Sequence, residues 1–116
     1  LYTHQPPLDA RPFIARGVPV AVATDFNPDS APSYHLPFAL TLACTMNRMT
    51  PREALKGATI IAARAVGEAD RLGSIEPGKQ ADLVVLEAPD VTNWLYHLKP
   101  RQALLTLKRG AVLYRA

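Results

Sequence analysis

The chain has 116 residues, 48% hydrophobic and 20% charged, a composition that excludes disorder over most of its length. Its formal net charge is only +3, and the 13 Lys and Arg are scattered without a block of like charge. That pattern speaks against a nucleic-acid partner and against a polybasic membrane patch. The single cysteine rules out an internal disulfide and suits a reducing, cytoplasmic setting, and no apolar run is long enough to span a bilayer.

In chain order, the opening "LYTHQPPLDA" carries no start signal and begins at Leu1, so the expectation is a piece of a longer protein. "PPLDARPFIARG" then predicts a short helix or turn closed by Gly17. "VPVAVAT", 18–24, is an unbroken β-branched and alanine run. It predicts a strand covered on both faces, with Pro19 tolerated at its first positions. A loop follows over 25–34.

"YHLPFALTLACTMNRM" predicts a helix with Pro37 in its first turn and Leu36, Leu40 and Ala43 at helical spacing. "TPREALKGATIIAARAVG" predicts a second helix. Thr50 is its N-cap, Pro51 its first residue, Glu53 the partner in a capping box, and Gly67 its end. Gly57 in its middle costs about 1 kcal/mol relative to Ala, which implies a packing reason for a glycine there.

Beyond residues 67–72 the pattern turns to β. Gly73 and Pro77-Gly78 mark turns around short extended pieces, and Leu83 to Leu86 predicts a strand. "VTNWLYHL" fits a short helix or an irregular crossing segment. "RQALLTLKRGAVLYRA" predicts a hairpin, with strands 103–108 and 111–115 joined at Arg109-Gly110.

The candidate chemistry sits at "TDFNPDSAP". Asp25 is the first acid beyond the predicted strand, and sites in β/α barrels and doubly wound sheets form beyond the carboxyl ends of strands. A carboxylate there can ligate a metal or move a proton. It can equally initiate a turn, as Asp and Asn before Pro do through Asx hydrogen bonds. Pattern alone leaves both readings open. His4, His35 and His97 lie far apart without metal-binding spacing and read as surface or packing residues. Cys44, in an apolar helical run, reads as a small buried hydrophobe. One carboxylate cannot hold a catalytic ion, since such sites take about three or four protein ligands. The partners of Asp25 would therefore lie in sequence outside these residues.

Three blocks, "TDFNPDSAP", "LACTMNRMTPREALKGATIIAARAVG" and "LGSIEPGKQADLVVLE", together resemble the C-terminal portion of the imidazolonepropionase family, within the amidohydrolase superfamily. The last block is general to the superfamily, whereas the first two are narrower. The resemblance runs from residue 6 onward. It implies an α/β fold class: the last β/α unit of a (β/α)8 TIM barrel over residues 1–70, then part of a small β-sandwich over 71–116.

The resemblance also implies that Asp25 is a ligand of one zinc or iron ion and the proton shuttle, the remaining ligands being histidines earlier in the parent chain. The implied reaction is hydrolysis of the ring amide C–N bond of 4-imidazolone-5-propionate to N-formimidoyl-L-glutamate in histidine degradation. Asn27, Asp29 and Ser30 fall on the family's D-x-N-P-G-[ST] substrate contacts, with Asp29 replacing its glycine. The implied partners are a small-molecule substrate and, for the full-length parent, a second copy in a homodimer, in the cytoplasm. The competing readings are another cyclic amidase or deaminase of the superfamily, and a non-catalytic α+β interaction module. An H-x-H motif upstream in the parent frame would eliminate the last.

Overall fold

The computed structural model describes residues 4–116. The first helix, α1 (Arg11–Ala15), is opened by Asp9, whose Oδ1 accepts from the Arg11 N–H at 2.9 Å, and it closes at Gly17. The second, α2 (Leu36–Thr45), has Pro37 in its first turn and buries Leu40 and Ala43, the face expected from their spacing.

The third helix, α3 (Pro51–Ala58), carries the complete capping box. Glu53 N–H donates to Thr50 Oγ1 at 3.3 Å, and Thr50 N–H donates to the Glu53 carboxylate at 2.8 Å. Removing such a cap costs roughly 1 kcal/mol. The same carboxylate receives the Arg11 guanidinium, so the cap also ties α1 to α3.

The predicted single helix over 50–67 is broken in two. After α3 the backbone leaves helical geometry at Thr59 (φ −117°, ψ −99°) and resumes as α4 (Ile60–Ala65). Local competition explains the break: the Thr59 hydroxyl takes the Leu55 carbonyl at 2.7 Å, while its N–H turns to Lys56 O at 3.3 Å. Gly73 packs directly onto this break. A Cβ there would lie 2.8 Å from Ile60 Cα and 3.0 Å from Thr59 O.

The predicted strand over 18–24 does not form. Beyond Val18, whose N–H closes the preceding turn onto Phe13 O, its one backbone tie among the described residues is Val22 N–H to Gly57 O at 3.1 Å. Val20 and Val22 pack against the helical core, whereas Val18, Ala21 and Ala23 face solvent. One face is covered, not two. A strand of this kind needs a neighbour to share its hydrogen bonds, and no described segment runs beside it. Gly57 is what lets the segment approach α3: a Cβ there would stand 2.8 Å from Val22 Cγ2 and 2.9 Å from Val20 O.

The second half holds an antiparallel sheet of β1 (Leu83–Leu86), β2 (Ala103–Lys108) and β3 (Ala111–Arg115), in that spatial order. The hairpin forms where expected. Arg109 and Gly110 both take positive φ, 52° and 80°, as a two-residue primed turn requires. Asp82 Oδ1 accepts from Arg109 N–H at 2.8 Å and anchors that turn to the strand before it.

Between β1 and β2 the chain returns to the helices through α5 (Val91–Tyr96), capped by Asp90. Trp94 and Leu95 of α5 join Leu40, Ala43, Met49 and Ala54 in the buried core. The Thr41 hydroxyl donates to Leu95 O at 2.8 Å across that contact. The core therefore sits among α2, α3 and α5. No helix of the described residues is long and apolar enough to cross a membrane.

Candidate functional site

The loop after residue 24 is organised by one side chain. Asn27 Oδ1 accepts from Ser30 N–H at 2.7 Å, from Asp29 N–H at 3.1 Å and from the Ser30 hydroxyl at 3.2 Å. Its Nδ2 donates back to Asp25 O at 2.7 Å, and its backbone N–H reaches Ala31 O at 3.1 Å. This is an Asx turn extended on both sides, the structural role that Asn before Pro suggests.

Asp25 occupies the left-handed region with φ +52°, where a carboxylate residue is tolerated at a cost in strain. Its side chain is exposed, and no described residue donates a hydrogen bond or ion pair to the carboxylate. The loop thus presents a bare carboxylate at one end and the Asn27–Ser30 turn beside it. Asp29 is exposed, and its φ is not positive, so glycine's conformational freedom is not needed at that position.

The hydrogen bonds limit what these groups can offer a ligand. Asn27 Oδ1 is saturated, leaving one Nδ2 hydrogen free to donate. The Ser30 hydroxyl spends its proton on Asn27 and keeps lone pairs to accept. Asp25 can accept a proton or give one oxygen to a cation.

By itself Asp25 does not make a metal site. Among the described residues no three His, Cys, Asp or Glu side chains stand together where an ion could be held. An exposed carboxylate without donors suits one position in a ligand set, but the described residues bring no further ligands to it. The Cys44 thiol is no substitute. Burial, and then the Glu53 charge, push its pKa up, which disfavours the thiolate.

A sizeable concavity lies elsewhere. A cleft of about 1170 Å³ runs between the helices and the sheet, bordered by Leu40, Leu55, Leu72, Val84, Trp94 and Gln102. None of Asp25, Asn27, Asp29 or Ser30 lines it. A pairing that the sequence reading did not identify spans the loop instead: Phe26 and Tyr34 stack with ring centroids 3.7 Å apart and an interplanar angle of 19°. The signal for it was an aromatic residue at each end of a proline-rich loop.

With this geometry in hand, the chain can be set beside known proteins. The profile of the Amidohydrolase family matches residues 8–113. The chain is 48% identical over 105 residues to the imidazolonepropionase of Geobacillus kaustophilus (strain HTA426), covering 90% of this chain and 25% of that protein. It is 45% identical over 107 residues to the imidazolonepropionase of Shouchella clausii (strain KSM-K16), covering 92% and 24%.

Among solved structures, an amidohydrolase from Thermotoga maritima MSB8 superposes with a TM-score of 0.68 at 26% identity, over 89% of this chain and 24% of that one. The guanine deaminase of E. coli superposes with a TM-score of 0.77 at 20% identity, over 99% of this chain and 32% of that one, a likeness of fold alone. The chain spans about a quarter of the length of the curated relatives it matches.

Proposed function

Since the chain belongs to the amidohydrolase family and forms an α/β portion of that fold, we propose that its full-length parent is a metal-dependent imidazolonepropionase. The parent would hydrolyse the ring amide C–N bond of 4-imidazolone-5-propionate to N-formimidoyl-L-glutamate in histidine degradation. The observation that carries this reading is the likeness to imidazolonepropionases along nine-tenths of the chain. In this reading residues 1–70 end a (β/α)8 barrel and residues 71–116 belong to a small β-sandwich. The parent works in the cytoplasm on a small-molecule substrate, as a homodimer.

The one-sided packing of residues 18–24 supports that placement. The helices cover the Val20 and Val22 face, as outer helices cover a barrel strand, while Ala21 and Ala23 stand open on the side a barrel would enclose. Asp25 follows at the strand's carboxyl end, where catalytic residues of such barrels stand. One zinc or iron ion, when bound with Asp25 as one ligand and histidines of the parent as the others, would polarise the ring carbonyl and acidify a water.

The chain's own residues would do the rest. Asp25 takes a proton from the attacking water and delivers it to the leaving ring nitrogen. Asn27 offers its free Nδ2 hydrogen to a substrate oxygen, and Ser30 accepts from a substrate N–H. Asp29 is the substrate-facing position least suited to a carboxylate-bearing substrate, because its own charge opposes it. These 116 residues alone, lacking the other ligands, would be inactive.

The test is turnover of 4-imidazolone-5-propionate by the full-length protein, with bound metal quantified. Asp25→Asn is expected to lower kcat by about 10²–10⁴-fold, the range for a lost general acid–base group. Absence of hydrolysis in the unmodified protein, or unchanged turnover in Asp25→Asn, would overturn the reading.

A further inference from the structure

The strained conformation of Asp25 needs restraint on both sides. Residues 19–24 are held to the helices through Val20 and Val22 and, among the described residues, by one backbone hydrogen bond, Val22 to Gly57. A non-glycine residue at φ +52° persists only where its surroundings over-determine it. The residues that follow add a restraint of their own. Asn27 supplies part of it through Nδ2 to Asp25 O. Phe26, covalently next to Asp25, carries the ring that stacks on Tyr34.

That ring is not a core residue. Phe26 is 45% exposed and Tyr34 76% exposed, and neither belongs to the side chains packed on the buried cluster. Ordinary burial therefore does not explain the stack between them. Tyr34, however, stands two residues before α2, whose Leu40 is 1% exposed in the core. The His35 N–H also donates to Ser33 Oγ at 3.2 Å, fixing the approach to that helix. Tyr34 is thus anchored where Phe26 is not.

We propose that the Phe26–Tyr34 stack is a clamp that latches the Asp25–Ser30 loop to α2 and holds the Asp25 carboxylate in its presenting orientation. Phe26 and Tyr34 are positioning residues: their rings act on the reaction through Asp25 and need not touch substrate. The inference rests on the reading of Asp25 given above. It extends that reading by naming what sets the geometry of the acid.

The test uses the full-length protein with two readouts. Tyr34→Ala and Phe26→Leu are expected to lower kcat on 4-imidazolone-5-propionate by about 10–100-fold, as a misplaced reacting group does, with KM and bound metal little changed. Tyr34→Phe keeps the stacked ring and is expected to restore wild-type kcat. Independently of activity, amide hydrogen exchange over residues 25–30 should quicken in Tyr34→Ala and return to wild-type rates in Tyr34→Phe.

Unchanged kcat in both Tyr34→Ala and Phe26→Leu would overturn the proposal, whatever the exchange rates. So would a Tyr34→Phe variant as impaired as Tyr34→Ala, which would assign the role to the hydroxyl. If the unmodified protein does not turn over this substrate, the activity reading fails, while the exchange measurement still judges the clamp.

Discussion

Glu53 collects three interactions on one carboxylate: the Arg11 guanidinium, the Thr50 N–H and the Thr50 hydroxyl. The hydrogen bond from Arg11, followed by the one from the Thr50 backbone, holds its pKa down at about 2 from an ordinary 4.5. A carboxyl depressed on folding contributes stability above its unfolded pKa and loses it as pH falls toward the folded one. Replacing Glu53 with Gln should therefore destabilise the protein most above about pH 5 and progressively less toward pH 2. Urea midpoints of both proteins across that window check it, and a difference independent of pH would contradict the ionic account. Asp82, held down to about 2 first by Lys108 and then by the Arg109 N–H, titrates in the same direction at a partly exposed site. The capping box was legible at this scale, because Thr-Pro-x-Glu puts its partners at fixed local spacing. The Arg11 contact was not, since it joins residues 42 apart.

At the scale of elements, α3 carries the clearest demand for one residue type. Gly57 lies against the 18–24 segment, and any Cβ there meets Val22 Cγ2 at 2.8 Å and Val20 O at 2.9 Å. Gly57→Ala should gain about 1 kcal/mol of helix propensity and lose about 1–3 kcal/mol to overpacking against a backbone atom. The expected outcome is a net loss of stability in denaturant unfolding, and a gain would show that the segment is free to move away. Pattern reading located the helix and flagged its glycine, but it merged α3 with α4. Helical periodicity continues across Thr59, and the hydroxyl that takes the Leu55 carbonyl leaves no mark in the spacing of apolar residues. The strand over 18–24 failed for the opposite reason. Its composition is right for a covered strand, but a strand exists only with a partner to pair with.

The whole molecule is more open than its mass predicts. It exposes 8264 Å² of surface, against about 6,200 Å² for a compact monomer of 12.6 kDa. Its radius of gyration is 14.8 Å, against about 13.4 Å for a compact chain of this length. The excess is apolar in places that matter: Ile75 is 85% exposed, Leu113 72%, and both central valines of the edge strand β1 about half. Open sheet edges and apolar faces of this kind promote association. The isolated 116 residues should bind a hydrophobic dye and show concentration-dependent mass by light scattering. A monodisperse, dye-silent monomer would mean that these surfaces need no covering.

The sequence by itself determined what is local. The caps and turns, the helices α2 and α3, the hairpin with its Arg109-Gly110 turn and the family membership all follow from residues within a few positions of one another, or from short motifs. It also brought forward Asp25, Asn27 and Ser30 as the residues to watch, while leaving open whether they formed a turn or a site. Only the tertiary structure decided that Asp25 stands strained and bare at the loop's end and that Phe26 and Tyr34 stack across it. Those outcomes depend on where backbone segments meet in space, and apolar periodicity carries no record of that.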